Sequence, residues 1–132
     1  MALTPLTLDD YFKGRDIQYA DELTDEIKAN AVETVKRLNA LQIAVQRQLA
    51  ITSGWRPPSI TYTIPGAKHG DAHEKGQGAD LHDPKADLYY WLVRNVSCLI
   101  SIGLWLESIS SAKNHIHVQT YAPRSGNRIF FA

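Results

Sequence analysis

Residues 73–82 read HEKGQGADLH, and this stretch sets a histidine and a carboxylate on either side of a glycine-rich turn. The two glycines between His73 and Asp80 allow the backbone to turn tightly. The step from His73 to Asp80 is too irregular for one face of a helix, but it suits a loop that leads into a strand. We therefore expect a strand over residues 79–82, which Asp83-Pro84 brings to an end.

A long helical pattern precedes this stretch, from Thr24 to about Gln48. Apolar residues recur near the helical period, at Ile27, Ala31, Val35, Leu38, Leu41 and Val45. Thr24 is the expected N-cap, and two acidic residues follow it in the first turn, where the helix dipole favours negative charge. The segment predicts a scaffold helix.

Other elements follow from local patterns and turn residues. A second helix is predicted over residues 85–102, closed by Gly103, and a long Gly- and Pro-rich loop over residues 57–78. Further strands are predicted over residues 49–52, 104–107, 115–119 and 128–131, the last at a sheet edge. The sequence therefore predicts one domain, residues 1–132, of the α+β class, with two main helices on a small antiparallel sheet.

Composition limits the functional classes. Lys plus Arg number 14 and Asp plus Glu number 14, so no broad positive field for nucleic acid is expected. No stretch is long and apolar enough to cross a bilayer, and the first residues lack the basic start and apolar core of a secretory signal. A single cysteine, Cys98, provides neither a disulfide nor a thiolate zinc site.

Histidines are concentrated in one half of the chain. All five lie between residues 69 and 117, with carboxylates among them: His69, His73, His82, His115 and His117. Two histidines and one carboxylate satisfy a catalytic zinc ion, which keeps one coordination position for water. Manganese or iron is also compatible with such a ligand set.

The segment His115-Ile116-His117 is predicted to lie in a strand, so both imidazoles point to the same face. Either both bind a metal ion, or one binds it while the other contacts the substrate. His69 and His82 are expected to stand outside the site, although His82 shares a strand face with Asp80 and is a candidate for an outer contact.

Taken together, His73, Gly76, Ala79 and Asp80, followed by His115-x-His117, resemble the signature of the D-Ala-D-Ala carboxypeptidases and related peptidoglycan peptidases. The hedgehog signalling domain is a distant relative of that family. Within it, short phage and prophage proteins are the most similar, and the resemblance spans roughly residues 10 to 131. Three further segments carry it: Ser53-Gly54-Trp55-Arg56-Pro57-Pro58, Gly103-Leu104-Trp105-Leu106-Glu107, and residues 124–130.

The resemblance implies a hedgehog-like fold and a role for each of these residues. His73, Asp80 and His117 are the implied ligands of one Zn²⁺ ion. Arg56 is implied to bind the substrate carboxylate or the developing oxyanion, and His115 to contact the substrate or to act in catalysis.

Two positions depart from the family pattern. Many members have an acidic general base three residues before the last zinc histidine, where this chain has Asn114. Glu107 is the nearest upstream carboxylate and the expected substitute, and Glu74 is a weaker candidate. Asp71 occupies a position where the family often has serine.

The implied function is hydrolysis of a peptide bond in bacterial peptidoglycan, as a D-Ala-D-Ala carboxypeptidase or as an endolysin-type endopeptidase. The alternative is a zinc-binding phage structural domain that has lost its general base. In either case we expect a phage or bacterial protein that is made in the cytoplasm and reaches the cell wall after release or delivery.

Overall fold

The computed structural model describes residues 2–109 and 114–131, which form an α+β fold. The helices are α1 (Leu8–Phe12), α2 (Arg15–Gln18), α3 (Asp25–Val45), α4 (Pro58–Thr61), α5 (Asp87–Arg94) and α6 (Val96–Ile102), with a 3-10 turn at Ala20–Glu22. The strands are β1 (Ile51–Ser53), β2 (Gly78–His82), β3 (Trp105–Glu107), β4 (His115–Gln119) and β5 (Ile129–Phe130). The predicted α+β class is confirmed.

The five strands form one sheet in the order β1-β2-β4-β3-β5. Strand β2 pairs antiparallel with β1 and with β4, and in the β2–β4 ladder Asp80 lies opposite His117 and His82 opposite His115. Leu81 and Ile116, which face the other way, are buried in the core. The central ladder thus directs its polar side chains to one face and its apolar side chains to the other.

The prediction of an antiparallel sheet is wrong for the last strand. Strand β5 is at the sheet edge, as predicted, but it pairs parallel to β3, so the sheet is mixed. Both sides of β4 are already paired, with β2 and β3. The chain leaving β4 therefore passes beyond β3, and β5 pairs with the free edge of β3 and runs in the same direction as β3.

Helix α3 contacts α1 and α6, and its buried face belongs to the same hydrophobic core as the sheet. The Thr24 side chain accepts a hydrogen bond from the Ile27 backbone N–H at 3.1 Å, which confirms the N-cap. The helix ends at Val45 rather than near Gln48, because Gln46 adopts a left-handed conformation with φ 56°. Its buried face comprises Ala31, Thr34, Val35, Leu38, Leu41 and Gln42.

The single helix predicted over residues 85–102 is two helices, α5 and α6, that meet at Asn95. Asn95 leaves the helical region, with φ −128° and ψ 45°, and its side chain donates to the Trp91 carbonyl at 2.8 Å. Asparagine competes with the helix in this way because its side chain satisfies a backbone group locally. Gly103 ends α6 with φ 89°, which confirms the predicted C-cap.

The N-terminal segment contributes to the core. Tyr11 and Phe12 of α1 are buried, and the Phe12 ring meets the buried Trp55 ring edge-on at 6.0 Å. A Cβ on Gly54 would lie 2.1 Å from the Tyr11 carbonyl oxygen, so only glycine fits there. The Tyr11 hydroxyl donates to the Gly78 carbonyl at 2.7 Å. These contacts hold the start of β2 and the segment after β1 together.

Candidate metal centre

Three side chains from separate segments converge beside the central strand pair. Asp80 of β2 and His117 of β4 lie opposite each other in the ladder, and His73 reaches them from the loop before β2. The Asp80 Oδ1 atom lies 3.2 Å from His73 Nε2 and 3.1 Å from His117 Nδ1. One ligand atom from each of the three residues lies within 4.8 Å of the others. The structure thus brings together the three predicted metal ligands.

The outer nitrogen of each histidine is also engaged. His73 Nδ1 lies 2.8 Å from the Gly54 carbonyl oxygen, and His117 Nε2 lies 3.0 Å from Gln119 Oε1. The Gln119 amide is oriented by donating to the Tyr121 carbonyl at 3.1 Å. Since a carbonyl oxygen accepts only, each outer nitrogen carries the proton. This arrangement directs the lone pair of His73 Nε2 and of His117 Nδ1 inward, as in histidines that bind metals.

The donor set fits a zinc ion. In these tautomers the lone pairs of His73 Nε2 and His117 Nδ1 point toward the carboxylate oxygen Oδ1 of Asp80, at 3.2 and 3.1 Å. Three hydrogen-bond acceptors therefore converge with no proton between them. A divalent cation or additional protons on the imidazoles must balance them. Tetrahedral zinc with bonds of about 2.0–2.1 Å sets its ligand atoms roughly 3.3 Å apart, close to both of these separations. The chain therefore offers a His73–Asp80–His117 site that could hold a metal ion.

The electrostatics of the metal-free cluster follow from the same contacts. Burial raises the pKa of Asp80, but hydrogen bonds from His117 and His73 outweigh this and lower that pKa below its usual value. Burial lowers the pKa of His117, but the hydrogen bond to Asp80 and its charge outweigh this and raise the pKa. The cluster therefore favours an ionised Asp80 carboxylate with positively charged groups next to it.

The cluster lies in a surface cleft of about 400 Å³. Its lining includes His73, Asp80 and His117 together with Gly66, Lys68, Asp71, Ala72, Glu107, His115, Gln119, Tyr121 and Phe130. The volume accommodates a few residues of a peptide chain next to the candidate ligands.

Glu107 and His115, both predicted to be catalytic, line this cleft. His115 Nε2 lies 3.7 Å from Asp80 Oδ2, and the His115 side chain is 38% exposed. Continuing the β3–β4 register, in which Leu106 lies opposite Val118, brings Glu107 opposite His117. The Glu107 charge accordingly contributes to raising the pKa of His117, after the effects of Asp80 and Gln119.

Arg56 lies near the cluster but is not among the residues that line the cleft. Its backbone N–H donates to the His73 carbonyl at 3.1 Å, which ties the two segments together. Its guanidinium Nη2 is ion-paired with Asp71 Oδ2. The predicted substrate-binding arginine is therefore engaged by a carboxylate within the protein.

Other candidates point elsewhere. Asn114 is exposed, has a left-handed backbone with φ 65°, and accepts a hydrogen bond from the Asp83 N–H through its carbonyl. The Glu74 carboxylate binds His69 at 2.9 Å and the Gly70 N–H at 2.7 Å, and it is not part of the cleft lining. Glu74 is thus occupied in holding its own loop.

His69 and His82 lie outside the cluster, as predicted. The His69 ring lies against the exposed Tyr62 ring, with centroids 4.2 Å apart and planes tilted by 51°. His82 is exposed at the end of β2.

Sequence reasoning missed the outer partners of the histidines. Gln119 follows His117 by two positions on the same strand, so the alternation that paired His115 with His117 could have indicated it. The Gly54 carbonyl has no such signal, because any residue supplies a carbonyl.

No protein-family model, curated protein or solved structure matches this chain. Among residues 2–109 and 114–131, no helix has the length and apolarity needed to span a membrane.

Proposed function

We propose that this protein is a zinc-dependent hydrolase that cleaves a peptide bond in bacterial peptidoglycan stem peptides. It would act as a D-Ala-D-Ala carboxypeptidase or as an endolysin-type endopeptidase. The observation that carries the proposal is the convergence of His73 Nε2, Asp80 Oδ1 and His117 Nδ1 in the lining of an open cleft. The peptidoglycan substrate rests on the resemblance of the His73–Asp80 and His115–His117 segments to peptidoglycan peptidases.

Zn²⁺ is the ion that we assign to the three ligands, where it would supply Lewis acidity and would activate a water molecule near neutral pH. Histidine nitrogen and carboxylate oxygen also suit manganese or iron, so metal identity is part of the proposal. The outer hydrogen bonds from His73 to Gly54 and from His117 to Gln119 hold both imidazoles in the binding tautomer.

Glu107 is the residue that we assign as general base. It lines the cleft, and the strand register brings it opposite His117. In hydrolysis it takes a proton from the attacking water as the new C–O bond forms. It returns that proton to the leaving amine as the C–N bond breaks.

His115 and Tyr121 are the donors that we assign to the developing oxyanion, because both side chains line the cleft. Burial, and to a smaller extent the charge of Asp71, raises the pKa of Tyr121, so its phenol keeps its proton at neutral pH. In this assignment His115 and Tyr121 together stabilise the oxyanion, a role that the family resemblance suggested for Arg56.

A second candidate is a zinc-binding phage structural domain without turnover. The observation that favours it is Asn114, which is exposed and offers no carboxylate where many related peptidases have their base. In that case the metal ion would serve folding alone. In either case we propose a phage or bacterial origin and delivery to the cell wall after synthesis.

The test is mass spectrometry of muropeptides after incubation of purified peptidoglycan with the zinc-loaded protein. Loss of one D-Ala identifies a carboxypeptidase, and cleavage within the stem peptide identifies an endopeptidase. His73→Ala should abolish the new product, whereas His69→Ala, which changes an exposed histidine outside the cluster, should retain it. No new product from zinc-loaded parent protein would favour the structural domain.

Glu107→Gln separates the two functions further, because it removes the base and leaves the three ligands in place. A general base contributes about 10²–10⁴-fold to the rate, so turnover should fall by that factor while zinc content stays at one ion per chain. Unchanged turnover would remove Glu107 from the mechanism.

A further inference from the structure

The Arg56 guanidinium is committed to an ion pair inside the protein. Its Nη2 contacts Asp71 Oδ2, and the Arg56 and Asp71 side chains are 15% and 29% exposed. Its Nε is buried and has no hydrogen-bond partner among the described residues. The charge of Arg56 is therefore balanced by a carboxylate of its own chain before any substrate arrives.

Asp71 is itself fixed in place. Its other carboxylate oxygen, Oδ1, accepts the Glu74 backbone N–H at 3.0 Å, in the loop that carries His73. The Arg56 N–H bonds to the His73 carbonyl at 3.1 Å. The ion pair is thus built into the loop of the metal ligand rather than formed between two freely rotating surface side chains.

Asp71, and not Arg56, faces the cleft. Among residues 2–109 and 114–131, the ionisable side chains other than histidine and tyrosine that line it are one lysine and three carboxylates, namely Lys68, Asp71, Asp80 and Glu107. A carboxypeptidase substrate has a negative carboxylate one residue beyond the bond to be cut. Because Arg56 is paired, such a carboxylate would meet the like charge of Asp71, and Lys68, rather than an unpaired guanidinium, is the cation in the described lining.

We propose that Asp71 is a specificity-determining residue that disfavours free C-terminal carboxylates, so that the substrates are peptides cut at an internal bond. This inference rests on the proposed function and selects the endopeptidase from its two alternatives. Asp71 acts by holding the Arg56 guanidinium and by placing a negative charge at the cleft wall.

The experiment compares two synthetic stem peptides that differ only at the C-terminus, one ending in a carboxylate after D-Ala-D-Ala and the other in an amide. With the zinc-loaded full chain, kcat/KM for the acid should not exceed that for the amide. Asp71→Asn removes the charge and keeps an oxygen that can accept from Glu74 N–H. It should raise the acid-over-amide ratio about tenfold or more, the range of a charged hydrogen bond.

The double variant Asp71→Asn with Arg56→Gln is the matched control, and it should lose the gain, because the gain depends on the released guanidinium. Asp71→Ser provides a second release variant should the asparagine variant fail to fold. A parent enzyme that prefers the acid by about tenfold or more would overturn the inference, since a paired guanidinium could not supply that preference. An unchanged ratio in both release variants would overturn it as well.

A binding measurement separates this inference from the proposed function. Calorimetric affinities of the same two peptides for each variant give an acid-over-amide ratio that needs no turnover. A ratio that rises in Asp71→Asn and falls again in the double variant supports the role of Asp71, even if neither peptide is hydrolysed. If the affinity ratio follows this pattern but neither peptide is hydrolysed, the proposed hydrolase function is refuted and the role of Asp71 is retained. If acid and amide bind every variant with equal affinity, the role of Asp71 is refuted.

Discussion

Replacing Gln119 by leucine should weaken zinc binding although Gln119 is not a ligand. Its Oε1 accepts from His117 Nε2 at 3.0 Å, and its own amide is held by the Tyr121 carbonyl at 3.1 Å. Leucine has a similar size and no acceptor. In this variant His117 loses the partner that keeps its proton on Nε2 and its lone pair on Nδ1, directed toward Asp80.

The size of the effect follows from the burial of this contact. The His117 side chain is 13% exposed and Gln119 is 7% exposed, so water cannot readily replace the lost acceptor. Removing such an outer partner typically costs about 10–100-fold in metal affinity. We therefore expect the Kd for zinc to rise by this factor, or about 1.4–2.7 kcal/mol of binding free energy.

The assay is competition for zinc against a chelating dye at fixed pH. Gln119→Glu keeps an acceptor at this position and should bind zinc at least as tightly as the parent protein, which separates loss of the hydrogen bond from a change in packing. His82→Ala is a second control, because it alters an exposed histidine on the strand of Asp80 and should leave the Kd unchanged. A leucine variant whose Kd stays within about threefold of the parent value would refute the outer role of Gln119.

Two further predictions concern stability. Gly78→Ala should lower the free energy of unfolding by about 1–3 kcal/mol and weaken zinc binding. The reason is that the added Cβ would lie 2.7 Å from Ala72 Cβ and 3.0 Å from His117 Cε1. Urea unfolding measures the stability, and a value equal to that of the parent protein would contradict the close packing. The metal-free protein should lose stability as pH rises above about 6.5, because the pKa of His117 is raised from its usual 6.5. The stabilisation that protonated His117 provides is complete below about pH 6.5 and is lost as pH rises through the raised pKa. The depressed pKa of Asp80 adds stability above about pH 3.8 that is lost as pH falls through the depressed value, so thermal unfolding with a chelator should show a maximum between these limits. Asp80→Asn should abolish the loss at high pH, and a loss that persists in this variant would assign it to other groups.

Local patterns were sufficient for much of the fold. The Thr24 cap, the apolar face of α3, strand β4 and the Gly103 stop are all properties of neighbouring residues, and all are confirmed. The break at Asn95 was missed because its apolar flanks continue the helical period, and only the side-chain bond to Trp91 reveals it. The direction of β5 was missed because it depends on both sides of β4 already being paired.

Residue types and spacing predicted a metal site of two histidines and one carboxylate, and the resemblance to peptidoglycan peptidases implied which residues form it, namely His73, Asp80 and His117. His73 and Asp80 flank a glycine-rich turn, and strand alternation directs His115 and His117 to one face. Alternation could not decide which of these two histidines joins the cluster. In the structure His117 does so, while His115 lies 3.7 Å from the other oxygen of Asp80.

The sequence by itself determined the residue types of a candidate metal site and the strand that carries His117 of that site and the neighbouring His115. Only the tertiary structure decided that the Gly54 carbonyl orients His73, that Glu107 faces the cleft, and that Asp71 engages Arg56. The physical reason is the range of each interaction. Side-chain direction along a strand is set by the backbone within a few residues, whereas contacts between segments 15 or more positions apart, such as Arg56 and Asp71, depend on how the whole chain packs.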